Sequence, residues 1–287
     1  MINKPDIFAF LKSIGTEVLP HEVEPYSVFN GERSRIGVVI VKSRQVRGTE
    51  FCKNVALYHL AGKGNKHENA LHVFPRQEMA SRYAKYRVMT SIDKPYTYLN
   101  EQLSEDERST ISGIPFKHDC RYYIFSASGQ ADALRGLPAD MLIRDEVDQF
   151  LSSAIRNLDA CTSACEFPII LDIGTPAGNK ILKSMWEQSD KREYFYCCDV
   201  CHYYFKPTVD LLCGVADIKC PNCQTEQSKM SASIEGKWIQ MKNPKYATQI
   251  GFHFTQLINP LIETIQILRW KEEFSSEKFK AEVLGEF

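Results

Sequence analysis

The sequence predicts an α/β fold: a mostly parallel sheet flanked by helices, interrupted by one small cysteine-rich insertion. Three observations predict it. Short apolar runs of strand length alternate with helix-length stretches, the rhythm of βα crossovers. Several of these runs stop at turn-forming or charged residues. Five of the ten cysteines, Cys198, Cys201, Cys213, Cys220 and Cys223, crowd into the one stretch where the rhythm breaks. Size and composition agree, since 287 residues with 44% hydrophobic and 25% charged side chains suit one large or two smaller globular domains.

The elements follow in order. A short amphipathic helix is expected over 7–14, ahead of a polar, proline-containing stretch. Residues 36–41 read as a buried strand, 42–50 as a turn and 51–60 as a helix. A second strand over 71–74 stops at Pro75, and a helix follows over 77–89. Further strands are expected over 122–126, 141–144 and 168–173, with a helix over 147–158. After the insertion the rhythm resumes with a strand over 251–254 and a helix over 261–274. The expected organisation is a core over 1–192, an insertion over 193–226, and the rest of the core region over 227–287. Ligands of such sheets bind beyond the C-terminal ends of the strands. Lys42, Asp145 and Thr175 all stand at such ends.

The net charge of -1 excludes a global basic field, so nucleic-acid contact must come from a local patch or an oligomer. No apolar stretch reaches transmembrane length, and residues 1–5 do not open a signal peptide, so a cytoplasmic setting is expected.

Asp145-Glu146 ends an apolar run. Two adjacent carboxylates there are costly to bury unless something cationic or catalytic uses them. In nucleoside-triphosphatases the first acid of such a pair holds Mg²⁺ and the second orients the attacking water. Upstream, Lys42-Ser43-Arg44-Gln45-Val46-Arg47-Gly48-Thr49-Glu50 follows a buried strand and opens a helix. By itself the loop reads as a basic surface turn. Its position favours a phosphate cradle, with Lys42 as the cation, Gly48 at the tight turn and the Thr49 hydroxyl for Mg²⁺.

Cys198-x-x-Cys201 and Cys220-x-x-Cys223 are two knuckles with the spacing of a tetrahedral Zn²⁺ site closed by four thiolates. Cys197 gives a less usual spacing, and Cys213 and His202 are weaker candidates. A closed site of this kind is structural, and it would fold a ribbon too poor in apolar residues to fold alone.

Lys-Ser-Arg-Gln-Val-x-x-Thr-Glu after Val-Val-Ile-Val resembles the deviant phosphate loop of large terminase subunits, the DNA-packaging ATPases of tailed phages. The lysine at the loop's front is similar to the lambda-type branch. Arg47 is the one departure, standing where that loop usually has glycine. Leu134-Arg135-Gly136 resembles the Arg-Gly before the family's acidic pair, and Gly174-Thr175-Pro176 its coupling motif. Val73-Phe74-Pro75 with Arg87, the cysteine insertion, and residues 236–238, 251–257 and 279–287 are also similar to that branch.

The resemblance implies a P-loop NTPase fold of the ASCE type with a zinc-ribbon insertion. It implies ATP and Mg²⁺ at Lys42, Ser43, Arg44, Gln45, Gly48 and Thr49, with Thr49 and Asp145 on the metal and Glu146 on the water. Arg135 would act in trans as an arginine finger, and Thr175 would couple hydrolysis to motion. The implied partners are double-stranded DNA, the portal protein, the small terminase subunit and the procapsid, in the host cytoplasm and without a membrane. The chain would form a homo-oligomeric ring when assembled and be a monomer in isolation. The resemblance covers the motor half of such proteins and not their nuclease domain, so no DNA cleavage is expected from this chain alone. Two other readings stay open at this stage: a helicase-like P-loop translocase, and a non-catalytic zinc-ribbon binding protein on a degenerate ATPase fold.

Overall fold

The apolar runs become strands because β-branched and aliphatic side chains fit a pleated, buried surface. A computed structural model describes residues 6–31, 34–62, 67–92, 97–104, 110, 112–128 and 133–287; the segment 1–5 read above lies outside it. The strands are β1 (Ile36–Lys42), β2 (Asn69–Phe74), β3 (Gly113–Phe116), β4 (Cys120–Ser126), β5 (Met141–Asp145) and β6 (Ile169–Gly174), followed by β7 (Arg192–Cys197), β8 (Tyr204–Phe205), β9 (Leu212–Cys213), β10 (Asp217–Lys219), β11 (Glu226–Ser228), β12 (Lys237–Gln240) and β13 (Ile250–Phe254). The chain divides into two compact units, residues 1–18, 26–37 and 49–173, and residues 19–25, 38–48 and 174–287.

In the first unit β6, β5, β2 and β4 run parallel, and β3 closes the edge antiparallel to β4. Side chains alternate between the two faces of a strand, so register decides what meets what. On one face Leu71, Val73 and Leu142 pack against Phe150, Ala154, Leu158 and Cys161, which bring in the helix Ser152–Asp159. Arg144 lies opposite Asp172 on adjacent strands. Its guanidinium makes a two-pronged contact with that carboxylate, Nε–Oδ1 2.5 Å and Nη2–Oδ2 2.9 Å, and reaches Asp159 Oδ1 at 2.7 Å. The helix Gln77–Tyr83 packs on β2 and β4, and its Tyr83 lies on the rings of His72 and Phe74.

The helices depart from expectation at their ends. The one expected over 51–60 starts earlier, at Gly48, and widens into a π turn at Tyr58–Gly62. The one expected over 77–89 widens likewise at Ala84–Met89. The one expected over 147–158 is a 3₁₀ turn, Val147–Gln149, then extended backbone at Phe150 and Leu151 before Ser152–Asp159.

In the second unit β1, β13 and β7 are parallel, and β12 and β8 flank β7 antiparallel. An aromatic cluster fills the interior: Trp238 packs on Tyr194, Phe252 and Phe254, and its indole N–H donates to the carbonyl of His21 at 2.9 Å. Gly251 allows close approach of the helix Lys180–Gln188 and the residue after it, because a Cβ there would meet Ser189 Oγ at 2.1 Å and the Trp186 ring at 2.8 Å. β9, β10 and β11 form a separate antiparallel ribbon. Leu257, Ile267, Phe279 and Val283 build a last small core around the helix Thr264–Glu273. No helix among the described residues is long and apolar enough to cross a membrane.

Candidate active site and metal centre

In the second unit the loop after β1 is held by its own neighbours. Lys42 pairs with Phe254 in register, and the Ser43 N–H then donates to the Phe254 carbonyl at 2.8 Å. The Arg44 N–H donates to the Glu282 carbonyl at 2.8 Å. Gln256 Nε2 donates to the Arg44 carbonyl at 2.9 Å, and the side chains of Arg44 and Glu282 pair at 3.4 Å. Gly285 needs its freedom here: its φ is +66°, and a Cβ would meet Ser43 N at 3.0 Å.

The turn that follows has an alternating backbone. Gln45 and Arg47 adopt φ of 61° and 62°, while Arg44, Val46 and Gly48 do not have positive φ. Alternation of this sense converges successive N–H groups on one point and makes an anion-binding concavity. Left-handed φ costs a non-glycine residue about 1–2 kcal/mol, so the turn is maintained against strain. Ser43 Oγ is buried with no hydrogen-bond partner among the described residues. An oxygen-rich anion fits both features. Lys42, also buried, donates from Nζ to Thr175 Oγ1 at 3.1 Å. The candidate cation and the candidate coupling hydroxyl are thus brought together. Arg47, where the resemblance leads one to expect glycine, turns its guanidinium to the buried Glu22, 3.5 Å away. Glu22 is itself fixed by the Leu19 N–H at 2.9 Å.

In the first unit Asp145 ends β5 fully buried, and Glu146 follows with φ 57° and ψ 44°, left-handed and half-buried. A bulky residue in that region marks a functional constraint more often than chance. The reversal follows directly on the last residue of β5. Asp145 Oδ2 lies 3.7 Å from His72 Nε2. Thr49 lies in the first turn of the helix Gly48–Leu57. Arg135 lies in the 3₁₀ turn Ala133–Gly136, and its side chain is outside the described residues. Arg87 pairs at the surface with Glu50, 3.7 Å away. His72 and Glu22 carry no motif or spacing that marks them in the sequence, whereas Gln256 and Glu282 lie in the segments 251–257 and 279–287 already noted for their resemblance.

The four knuckle cysteines converge. The ligand atoms of Cys198, Cys201, Cys220 and Cys223 all lie within 4.8 Å of one another. Cys198 and Cys223 sulfurs are 3.5 Å apart, and those of Cys201 and Cys220 3.7 Å. Zinc–thiolate bonds of about 2.3 Å set tetrahedral edges of roughly 3.8 Å, so the set fits that ion. Hydrogen bonds from Thr225 hold the Cys223 thiol down to about 6, while burial pushes the Cys198 thiol up to about 12, so the charge of a bound cation would have to draw that thiol to the thiolate a metal requires. Cys197, Cys213 and His202 do not join the group.

Comparison with known proteins gives one family. Residues 12–238 match the model of the phage terminase large subunit gpA, ATPase domain. The chain is similar in structure to the large terminase ATPase domain of Thermus phage P74-26, at 13% identity over 100% of both chains with a TM-score of 0.60. It is similar to the large terminase of bacteriophage HK97, at 20% identity over 65% of this chain and 40% of that one, TM-score 0.53. It is also similar to the large terminase of the thermophilic bacteriophage D6E solved with ADP, at 13% identity over 88% and 48%, TM-score 0.51. At these identities the structures show the fold: a mostly parallel P-loop ATPase sheet flanked by helices. No curated protein matched the sequence.

Proposed function

Because the chain belongs to the family of phage terminase large-subunit gpA ATPase domains, we propose that it binds ATP at the 42–49 loop and spends its hydrolysis on moving double-stranded DNA through a portal into a procapsid. The observation that carries the nucleotide site is the alternating backbone of residues 44–48 beside the buried Ser43 hydroxyl. Family membership sets aside the helicase reading, and the strained cradle and strained Glu146 argue against a degenerate, non-catalytic fold.

Lys42 and Arg44 would neutralise phosphate charge, with Ser43, Gln45 and Gly48 lining the turn. Thr49 and Asp145 would hold Mg²⁺, which when bound supplies charge neutralisation at the phosphates. Glu146 would take the proton of the attacking water. Arg135 would serve a neighbouring subunit's nucleotide in an assembled ring. The Lys42–Thr175 hydrogen bond supports a coupling role for Thr175: a phosphate that draws Lys42 away releases the hydroxyl and the segment after β6. Portal, procapsid and small subunit are the partners this reading names, and the four cysteines would hold a structural Zn²⁺. That the chain spans 40–48% of the HK97 and D6E large terminases keeps those proteins' other activities outside the proposal.

The test is a nucleotide-dependent thermal shift followed by phosphate release, with DNA present and at concentrations that assemble a ring. Glu146→Ala should keep binding and lose turnover by at least about 10²-fold, the scale of removing a positioned base. Neither binding nor turnover in the wild-type protein would refute the proposal.

A further inference from the structure

Within the second unit the short helix Lys229–Ile234 is hydrogen-bonded to the first cysteine knuckle at one end of a chain of contacts that reaches the phosphate loop at the other. Gln227, on β11 just before the helix, accepts from the Asp199 N–H through Oε1 at 2.8 Å and donates to the Cys197 carbonyl through Nε2 at 3.4 Å. Ser231, in the helix, donates from Oγ to Asp199 Oδ2 at 2.6 Å. Asp199 stands between Cys198 and Cys201. The backbone that presents those two sulfurs and the start of the helix therefore form one hydrogen-bonded block.

Lys229 carries that block inward. It is fully buried, which costs a lysine free energy unless its donors are used. Nζ donates to the Ile262 carbonyl at 2.8 Å and to the Gln256 carbonyl at 3.3 Å, so one amino group ties together both ends of the segment that follows β13. Tyr196, next to Cys197 on β7, holds the same segment by donating to the Leu257 carbonyl at 2.9 Å. The Gln256 side chain then turns to the loop. Its Nε2 donates to the Arg44 carbonyl at 2.9 Å and to the Glu282 carbonyl at 3.4 Å, and the Arg44 N–H donates to that same Glu282 carbonyl at 2.8 Å. With its N–H and its carbonyl both held, Arg44 cannot turn without breaking a hydrogen bond. It stands immediately before Gln45, the first left-handed residue of the anion-binding turn.

We propose that Lys229 is a positioning residue for the phosphate loop, passing the seat of the cysteine knuckle to Arg44 through Gln256. The ribbon is then part of the support of the nucleotide site. This role rests on the reading of the 42–49 loop as the ATP site. Loss of one hydrogen bond of ordinary net strength corresponds to about a three- to tenfold change in affinity.

The test compares the full 287-residue chain with Lys229→Met, which keeps the volume and removes the donors, with Gln256→Met, and with the two combined. The Kd of a fluorescent ATP analogue with Mg²⁺ should rise about three- to tenfold in each single variant. The combined variant should bind no more weakly than Gln256→Met alone, because both changes act through one residue. Without nucleotide, deuterium uptake over residues 38–48 should rise in both single variants, while uptake over the helix Lys180–Gln188 of the same unit stays at the wild-type level. Gln227→Leu should raise the 38–48 uptake from the ribbon end. Independent, multiplying losses in the combined variant overturn the positioning role. So does unchanged 38–48 uptake in folded Lys229→Met, or a rise shared equally by Lys180–Gln188, which reports lost stability alone. Unchanged uptake in Gln227→Leu overturns the ribbon's part. Should Lys229→Met fail to fold, Lys229→Gln, polar but too short to span both carbonyls, takes its place with the same expected and overturning results. If the wild type binds no nucleotide, the ATP reading fails, and the uptake still decides whether Lys229 holds the loop.

Discussion

Arg144 offers the sharpest stability test in the first unit. The residue is 3% exposed, and its guanidinium meets two carboxylates. The Asp159 contact involves a side chain 49% exposed, so it contributes less than about 1 kcal/mol. The Asp172 contact is different, because that carboxylate is itself 3% exposed. Arg144→Met leaves it buried without its countercharge, a loss expected at about 3–5 kcal/mol. Replacing both partners, Arg144→Met with Asp172→Leu, removes the stranded charge and fills the space with apolar volume. Such replacements are often neutral or better, so most of the loss should return. The assay is urea unfolding followed by far-ultraviolet circular dichroism, since Trp186, Trp238 and Trp270 all belong to the second unit. Adding Asp172→Leu alone closes a double-mutant cycle. A single-variant loss below about 1 kcal/mol, or a double variant no more stable than the single, would refute the reasoning.

Three more expectations can be checked directly. Burial raises the Glu193 carboxyl, but His253 and Lys206 overrule it and bring it below 4.5. Its stabilisation is therefore complete above pH 4.5 and is lost as pH falls through the lower folded value, so Glu193→Gln should flatten the acid limb of stability; superimposable limbs would count against it. Burial lowers the Lys229 ammonium to about 7, with its protons on the Gln256 and Ile262 carbonyls. Between pH 7 and 10.5 the unfolded chain holds a proton the folded chain has released, so the wild type should gain on Lys229→Met as pH rises, by at most about 5 kcal/mol; parallel curves would contradict this. Freshly purified protein should contain about one zinc per chain, lost in Cys220→Ser, and metal analysis finding none would remove the zinc assignment.

Much of the fold was legible because buried parallel strands announce themselves. β1, β2, β5, β6 and β13 are short apolar runs with stops behind them. β3 was not anticipated: Gly-Ile-Pro-Phe is too short and carries a proline, which only an edge strand tolerates. β7, Arg-Glu-Tyr-Phe-Tyr-Cys, was read into the cysteine insertion because its aromatic character matched what followed, yet it pairs with β13. The knuckle cysteines were readable from spacing alone, since four thiolates at two short intervals have few other uses. The contacts that hold the loop were not. Glu22 on Arg47, Gln256 on Arg44 and Thr175 on Lys42 are pairings across long stretches of chain, and no local pattern encodes a partner at that distance. His72 looked like one residue of an apolar run. Only register puts Tyr122 and Asp145 on its face.

The pairing of β1 with β13 also sets a timetable for synthesis. Lys42 and Phe254 are about 210 positions apart, and at 5–20 residues per second the ribosome needs roughly 10–40 s to make the second after the first. Throughout that interval Val38–Lys42 has no β13 edge to join, and the loop carbonyls and amides that Phe254, Gln256 and Glu282 later satisfy remain open. An apolar strand left waiting in this way is prone to pair with a strand of another chain. Yield of the protein should therefore respond to translation speed and to chaperones that cover nascent strands. Substitutions at Gln256 or Gly285 would reach the phosphate loop through this late closure as well as through the finished structure.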